Sequence, residues 1–547
     1  MRLFDSPTAA LAVFSSAILA TSSEVAVETP ATTSLEAPIR NIAIIGAGAG
    51  GASTAYYLRK FADEANIPVN ITIFEKTNRV GGRSLTVNAW DKPGYPVELG
   101  SSMFVPESGI VSSIVREAKL NFRYLEYSEG SSNAGVWNGE ELVYRYNFDE
   151  DVPFWDRVAR FFRFGFDPAM ATSRVSKTGD SIKMMYSEPH FPFQSLDKVV
   201  SDVDLLTPRN TVGSEFLRKE LIIGRYVPEV VQSSTRVNFG SNLDETSGMD
   251  MLLSIMPNQA LQVSGGNWKI FDYMVQKSQA TVNYEIDVGR VDYEPYIRGE
   301  RYNPSEKPYY AIQTKEERQM QTKNSHYGVA FDDVVFAAPM QFSQITTRFG
   351  MMPPMVREVV PYRRVHVTLL ATKLRLSPKF FKLEDTDKAP DVILTTLPNK
   401  EMPSSGFGSD GRGEKGFYSI IFLRSDMNPK TGYMEDIWKI TSPNKPSHEF
   451  LFELFDSPVP ESIVGNENEE SHISWYYTER VAAYPAGIPR DKFYPHALSQ
   501  GLWYTSSMET FISTMETNAL MGKNIAKLMV DKYEDEEKDT AESREGE

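Results

Sequence analysis

Apolar and polar positions near the N-terminus predict a strand, a helix and a second strand. Residues 39–45, IRNIAII, form an apolar run of strand length, and residues 52–65, ASTAYYLRKFADEA, follow with a helical pattern. Another apolar run at 69–74 ends at Glu75. This order is typical of a βαβ unit, in which the two strands lie parallel in one sheet.

Later segments show the same kinds of pattern. A helical stretch after residues 265–267, GGN, precedes a predicted strand at 281–293, and a buried strand at 333–339 ends in small residues. Residues 501–509 indicate a strand and a turn, and a last helix is expected from 513 to about Lys532. With 547 residues the chain exceeds a single hydrophobic core, so two or more lobes are expected.

The chain begins with features of a secretory signal peptide. Arg2 precedes an apolar run at 9–20, which is shorter than the about 20 residues of a membrane span, and small residues follow. We predict a signal peptide at 1–20 and a linker at 21–38, although an alanine-rich disordered N-terminus would look similar. A signal predicts the secretory pathway, with a lysosome, a vacuole or the extracellular space as destination. No later stretch reaches transmembrane length.

Composition excludes several kinds of chemistry. The chain has no cysteine, which excludes disulfides, thiolate metal sites and a flavin tethered through sulfur. Its six histidines have no i, i+4 pair, so no metal site is predicted. The net charge of −16 argues against a nucleic-acid partner. Residues 531–547 hold nine acids and three bases, which predicts a disordered acidic tail or, alternatively, a docking peptide.

A glycine-rich turn joins the first strand to the first helix. The turn contains Gly46, Ala47, Gly48, Ala49, Gly50 and Gly51. In this context the spacing predicts a dinucleotide site, because Gly48 lets the backbone approach a pyrophosphate at the N-terminus of a helix. Glu75, which lies 24 residues after Gly51 and is followed by Lys76, is the candidate ribose-binding carboxylate.

The following segments indicate flavin rather than nicotinamide. Residues 80–84, VGGRS, resemble the second signature of FAD enzymes of the amine-oxidase type, in which Gly81 and Gly82 pass close to the cofactor and Arg83 neutralises phosphate charge. Residues 97–102 resemble the strand and turn under the flavin. The further candidate FAD contacts are Gly100, Ser101, Ser102, Val288, Ala338, Pro339, Glu509, Met515 and Glu516. The N-terminus of the last helix is expected to point at the flavin.

The chain as a whole resembles the prenylcysteine oxidase, or prenylcysteine lyase, family. The matching segments are residues 42–59, 80–84, 235–240 (TRVNFG), 265–267, 438–440 (WKI), 483–485, 501–504 and 514–519. The resemblance implies an α/β fold with a Rossmann-like FAD-binding lobe of the amine-oxidase or glutathione-reductase type, interleaved with an α+β substrate lobe. The boundaries predicted for the FAD-binding lobe are 39–140, 261–340 and 491–530, and those for the substrate lobe are 141–260 and 341–490.

The resemblance also implies a reaction. Hydride passes from the prenyl carbon of S-farnesyl- or S-geranylgeranyl-cysteine to non-covalent FAD, water traps the cation, and the products are a prenyl aldehyde, cysteine and hydrogen peroxide. The small-molecule substrate and oxygen are the expected partners, with a peripheral membrane contact where substrate is taken up. No strong base is required, so the catalytic side chains stay unknown, with His366 and Glu516 as weak candidates. For His366, a core histidine with its hydrogen bonds satisfied is the favoured alternative. For Glu516, stabilising its own helix is an equal alternative.

Two other functions stay open at this point. An amine or L-amino-acid oxidase would share the fold but oxidise an amine. A prenyl-binding escort protein would share the architecture without redox activity. Segments 235–240 and 514–519 argue against the first, and the intact glycine motifs argue against the second.

Overall fold

The computed structural model describes residues 38–106, 109–124, 133–147, 154–256, 260–294, 308–319, 329–347, 359–397, 416–465 and 470–545. The predicted signal peptide and all but the last residue of the predicted linker lie outside these ranges. From Ile39 onward the chain forms one unit.

The described strands are β1 (Arg40–Ile45), β2 (Val69–Phe74), β3 (Thr86–Asn88), β4 (Pro96–Glu98), β5 (Phe122–Tyr124), β6 (Asn133–Trp137), β7 (Leu142–Asn147), β8 (Leu261–Val263), β9 (Thr281–Asn283), β10 (Val288–Glu294), β11 (Tyr309–Thr314), β12 (Asp333–Phe336), β13 (Thr346–Thr347), β14 (Tyr362–Thr372), β15 (Val392–Thr395), β16 (Ser419–Met427), β17 (Met434–Ser442), β18 (Ile473–Pro485), β19 (Ala497–Ser499) and β20 (Leu502–Tyr504).

The described α-helices are α1 (Ala49–Ala65), α2 (Ile110–Glu117), α3 (Phe154–Phe164), α4 (Asp167–Met184), α5 (Leu196–Asp202), α6 (Leu206–Asn210), α7 (Gly213–Lys219), α8 (Gln232–Phe239), α9 (Gly248–Ser254), α10 (Trp268–Lys277), α11 (Lys315–Gln319), α12 (Met340–Ser343), α13 (His448–Phe455) and α14 (Met515–Glu545).

A six-stranded sheet forms the core of the first lobe, in the order β19-β20-β12-β1-β2-β9. Its strands are parallel except β19, which confirms the predicted βαβ unit. Ile42, Ile44 and Val335 are fully buried, as expected for parallel strands covered on both faces. These strands come from three separated stretches of the chain, so the interleaved α/β fold is confirmed. The predicted strand at 281–293 is two strands, β9 and β10.

The second lobe is built on a largely antiparallel sheet with the order β18-β14-β17-β16-β15-β6-β7. Helices α3 to α9 occupy residues 154–254, between β7 and β8 in the chain. Strands β6 and β7 pair with each other and β6 pairs with β15, so residues from 133 onward already belong to this sheet. The predicted boundary at residue 140 is therefore too late.

The two lobes meet through a shared apolar cluster. Val97 and Leu99 from the β4 segment pack with Val365, Val367 and Leu369 of β14. Because side chains alternate across a strand, these odd-numbered residues define the face of β14 that looks toward the first lobe. This face borders the candidate site.

Helix α14 closes the first lobe by packing on α1. A Cβ added to Gly522 would overlap the backbone of Gly50 in α1, and Ser53 Oγ donates to Ala519 O at 2.6 Å. The helices therefore approach at backbone distance.

The predicted disordered tail is wrong for residues 531–545, because α14 continues to Glu545. Tyr533 is fully buried and its hydroxyl donates to Asp333 at 2.7 Å, while Glu536 pairs with Arg40 at 2.8 Å. The prediction of disorder rested on the net charge of residues 531–547, whereas the single aromatic residue Tyr533 anchors the helix to the sheet. Residues 538–543 are exposed.

Candidate active site

The two predicted glycine segments come together at the N-terminus of α1. A Cβ added to Gly82 would lie 3.1 Å from Gly48 Cα. Gly48 itself has an extended backbone, with φ −78° and ψ −170°, and a Cβ there would meet only Gly82 Cα at 3.8 Å. Neither position has a side chain, and both lie beside the free N–H groups of the helix N-terminus. A dinucleotide pyrophosphate could therefore approach the backbone closely and accept hydrogen bonds there.

Two later segments complete this cradle, as the sequence predicts. A Cβ on Gly50 would lie 2.6 Å from Thr505 Oγ1, directly after β20. Gly46 has a φ of +108°, and a Cβ there would lie 3.1 Å from the carbonyl oxygen of Ala337 and 3.6 Å from Ala338 Cβ. Pro339 comes next and precedes α12. Such contacts leave no space for side chains at these glycines.

Glu75 lies at the end of β2, where a ribose-binding carboxylate is expected. Its carboxylate accepts hydrogen bonds from Ala47 N at 2.8 Å and from Thr77 N at 2.9 Å. Ile286 N donates to the Glu75 carbonyl oxygen at 3.0 Å, so buried Val288 starts β10 close to this end of the site. Lys76 is exposed.

The turn after β4 lies against the second glycine segment. A Cβ on Gly100 would overlap the carbonyl oxygen of Arg83, and Ser101 N donates to the same oxygen at 3.2 Å. Asn267, from the predicted GGN segment, donates from N to Glu98 Oε1 at 2.6 Å and from Nδ2 to Ser101 O at 2.9 Å. The predicted segments 80–84 and 265–267 thus both hold the turn at 97–102 in place.

Lys439 is a site residue that the sequence prediction missed. It lies on β17, and its Nζ donates to Ser102 Oγ at 2.9 Å and to Leu99 O at 3.2 Å. Burial lowers the pKa of Lys439 to about 8, against the attraction of Glu98. Burial also raises the pKa of Glu98 to about 7, against its hydrogen bond from Asn267. The pKa values of both groups therefore lie closer to neutral pH than those of an ordinary lysine and glutamate.

We expect Glu98 to make the folded chain less stable as the pH rises from about 5 to about 7. Its folded pKa near 7 exceeds the ordinary 4.5, so the folded state binds more protons than the unfolded state in this window. Relative to a Glu98→Gln variant, wild type should lose about 1–3 kcal/mol across the window. The Lys439 titration lies higher, near pH 8 and above.

Urea denaturation of the FAD-free proteins at several pH values measures this effect. Glu215→Gln, at an exposed carboxyl whose pKa Lys219 lowers, is the matched control and should follow wild type through the window. Equal pH slopes for wild type and Glu98→Gln would contradict the prediction.

Arg83 and Glu509 pair with each other, and Tyr362 joins them. Arg83 Nη2 and the Tyr362 hydroxyl both donate to the Glu509 carboxylate, which is 3% exposed. Burial and the charge of Glu509 raise the pKa of Tyr362 well above its usual value. The Arg83 side chain stays 40% exposed, so it can still meet a phosphate. Tyr362 was not predicted.

The last helix reaches the site with its first residue. Ser84 Oγ lies 3.3 Å from Met515 Sδ, which places the N-terminus of α14 beside the second glycine segment. Glu516 has another role, because its carboxylate accepts from Ile110 N and Val111 N at 2.8 Å each. It thus caps helix α2, and as an acid in the first turn of α14 it also stabilises its own helix.

His366 lies on the wrong face of β14 for catalysis. It alternates with the residues that face the first lobe and shares its face with Leu370, which belongs to a different apolar cluster. Burial and the charges of Arg480 and Lys445 lower its pKa. Its face of β14 does not favour the hypothesis that it orients a water molecule, which stays untested.

A small cavity lies on the substrate-lobe side of Glu509. Its wall is formed by aromatic residues together with a buried ion pair, in which Arg209 Nη1 lies 3.8 Å from Asp250 Oδ2. Arg209 also donates to Thr510 O at 2.8 Å. The aromatic residues of the wall are Phe239, Tyr484 and Phe511. Phe239 is the fifth residue of the TRVNFG segment, so that segment reaches the wall.

No three histidine, aspartate or glutamate side chains in the described ranges lie together in a way that could hold a metal ion. None of the described helices combines the length and apolar character needed to cross a bilayer.

Comparison with protein families gives two matches. The profile described as prenylcysteine lyase matches residues 148–542. The profile described as an NAD(P)-binding Rossmann-like domain matches residues 44–118. The first match covers well over half of the chain, and the second covers the predicted glycine turn.

Curated relatives match over nearly the full length of both chains. The farnesylcysteine lyase of Arabidopsis thaliana is 24% identical over 507 residues, which is 90% of this chain and 88% of that protein. Prenylcysteine oxidase 1 of Homo sapiens is 26% identical over 508 residues, with 90% and 89% covered.

Solved structures share the fold at low sequence identity. A putrescine oxidase variant superposes with a TM-score of 0.53 at 13% identity, covering 90% of this chain and 99% of that one. Cyclohexylamine oxidase from Brevibacterium oxydans gives 0.52 at 14% identity, with 91% and 100% covered. At such identity the likeness shows the fold alone.

Proposed function

This chain belongs to the prenylcysteine lyase family, and from that membership we propose that it cleaves the thioether bond of S-prenyl-L-cysteine oxidatively. The thioether, oxygen and water give a prenyl aldehyde, cysteine and hydrogen peroxide, so two electrons pass from the C–H bond to oxygen. By its family the chain is a flavin-dependent oxidoreductase. Its fold is that of the amine oxidases. Full-length similarity to proteins named for farnesylcysteine and prenylcysteine carries the proposal.

The residues of the cradle fit FAD. Gly48 and Gly82 would admit the pyrophosphate, Glu75 would accept from the ribose hydroxyls, and Arg83 would balance phosphate charge. When bound, FAD supplies the hydride acceptor. Lys439 Nζ, held by Ser102, can take up or release a proton close to the turn on which the flavin would rest.

The aromatic cavity is the proposed site of the substrate. Phe239, Tyr484 and Phe511 offer an apolar wall against which the part of the prenyl chain next to sulfur would pack. Arg209 and Asp250 lie in the same wall with opposite charges, which suits the amino-acid end of the substrate. Burial raises the pKa of Asp250, opposed by Arg209.

The assignment is tested by supplying farnesylcysteine and simple amines separately to the purified protein in the presence of oxygen. We expect hydrogen peroxide, farnesal and cysteine in equal amounts from farnesylcysteine alone. Peroxide from amines alone would make the protein an amine oxidase. A colourless protein that binds farnesylcysteine without forming peroxide would make it a prenyl-binding protein.

We expect FAD to be held without a covalent bond. The chain contains no cysteine, so linkage through sulfur is impossible. Precipitation with trichloroacetic acid should therefore leave essentially all of the yellow cofactor in the supernatant, measured by its absorbance. A yellow pellet after washing would contradict this prediction.

The proposed location is the secretory pathway, ending in a lysosome, a vacuole or the extracellular space. The basic and apolar start of the chain supports this proposal. N-terminal sequencing of the protein recovered from a eukaryotic host tests it, because the mature chain should begin after about residue 20. An N-terminus at Met1 or Arg2 would contradict it.

A further inference from the structure

Five large apolar side chains are exposed at one end of the substrate lobe. Phe161, Phe162 and Phe166 lie at the end of α3 and in the turn before α4, and Phe162 is 83% exposed. Leu221 and Ile223 follow α7 and are 71% and 72% exposed. We call these five residues the aromatic tip. Such exposure of clustered phenylalanine side chains marks an interaction surface.

Direct contacts join the two segments of the aromatic tip. Asp167 Oδ2 accepts from Gly224 N at 2.7 Å, and the rings of Phe164 and Tyr226 lie 5.7 Å apart. Phe161 and Phe166 are themselves in edge-to-face contact, with ring centroids 5.4 Å apart. The five side chains therefore belong to one surface.

The base of the aromatic tip is held by a buried carboxylate. Arg163 donates to both oxygens of Glu229, at 2.6 and 2.9 Å, and its guanidinium lies over the Tyr144 ring. Because Arg163 directly follows Phe162, this fork fixes the backbone that presents the phenylalanines. The Arg163–Glu229 pair thus holds the backbone at the end of α3, from which the exposed phenylalanine side chains project.

The charge around the aromatic tip is opposite to that of the whole chain. Residues 157–177 contain five basic residues and one acid, and residues 218–230 contain three basic residues and two acids. The two segments together carry a net charge of +5, whereas the chain carries −16. Arg157 is exposed one helical turn before Phe161, and Arg225 is exposed two residues after Ile223. Aromatic and aliphatic side chains beside cations are typical of proteins that lie on anionic lipid.

We propose that the aromatic tip docks the protein on the surface of an anionic lipid bilayer, with Phe162, Phe166 and Ile223 entering the headgroup boundary. Its cations match the charge of such a surface, which a second copy of this acidic chain would not. Docking stands apart from the proposed reaction. It would nonetheless bring the protein to the phase in which a prenylated substrate concentrates.

The test uses the FAD-loaded protein and vesicles of phosphatidylcholine with or without about 30% phosphatidylserine. Wild type should sediment with the anionic vesicles, and Phe162→Asp with Phe166→Asp should lower the partition coefficient at least about 100-fold. The matched control is Met427→Asp with Met434→Asp, at two side chains that are each 56% exposed on β16 and β17. The control should bind as wild type does.

The absence of cysteine allows a second measurement that does not weaken the fold. Phe162→Cys and Met427→Cys are each labelled with an environment-sensitive dye, and only the first should shift to the blue with anionic vesicles. No sedimentation of wild type, or equal loss in the control, would overturn the proposal. Concentration-dependent self-association that Phe162→Asp abolishes, without vesicle binding, would replace the bilayer by a second copy.

Discussion

Replacing Gly48 with valine is expected to abolish FAD binding and to leave the fold intact. Gly48 has an ordinary extended backbone, and the nearest atom to an added Cβ is Gly82 Cα at 3.8 Å. A side chain therefore fits the chain by itself but fills the place where a pyrophosphate must approach. We expect the affinity for FAD to fall by about 100- to 1,000-fold, which corresponds to about 3–4 kcal/mol.

Titration of FAD into the cofactor-free proteins, followed by flavin fluorescence, measures this effect. Gly48→Ala should lose less affinity than Gly48→Val because its side chain is smaller. Gly179→Ala, on helix α4 away from the cradle, is the control and should bind FAD normally. If the cofactor-free Gly48→Val protein unfolds at the wild-type urea concentration yet binds FAD with wild-type affinity, the assignment of the cradle is wrong.

Ending the chain after Lys532 is expected to lower the free energy of unfolding by about 3–5 kcal/mol. This truncation removes Tyr533, which is fully buried and donates to Asp333, and it removes the Glu536 partner of Arg40. Asp333 is itself fully buried and also accepts from Trp503 Nε1 at 2.8 Å. Without the Tyr533 hydroxyl, Asp333 Oδ2 keeps the longer contact from Lys532 Nζ at 3.2 Å, so one of its two donors is lost.

The control truncation ends after Lys538 and keeps both contacts. It removes residues of which the described ones are exposed, so it should change the free energy by less than about 0.5 kcal/mol. Urea denaturation followed by tryptophan fluorescence compares the two. Equal stability of both truncations would mean that the acidic segment contributes nothing to the fold. The point variant Tyr533→Phe separates the hydroxyl from the ring and should cost about 1–3 kcal/mol.

The cofactor cradle could be predicted from sequence because its requirements are local. Backbone geometry or lack of space requires glycine at positions 46, 48 and 82, so the glycines themselves are visible in the sequence. Glu75 follows a strand in a fixed register, so its place at the end of β2 was also readable. Segment order then indicated the interleaved lobes.

The remaining site residues depend on pairing between distant strands, which sequence patterns do not reveal. Lys439 reaches Ser102 only because β17 lies across from the turn after β4, 337 residues apart along the chain. The available signal was a lysine between two apolar residues, Trp438 and Ile440, in a predicted family segment. The face of β14 on which His366 lies could not be predicted either, because a strand pattern does not say which face meets the other lobe.

The contact between helices α1 and α14 has a consequence for synthesis of the protein. During synthesis, Ser53 emerges 466 residues before Ala519, its hydrogen-bond partner. At ordinary elongation rates that interval is about 20–90 s, during which the apolar face of the first helix lacks its final cover. High contact order of this kind slows folding and exposes nascent chains to aggregation. The first lobe is thus begun earliest and completed last, so chains that terminate prematurely cannot close it and should be substrates for chaperones and degradation.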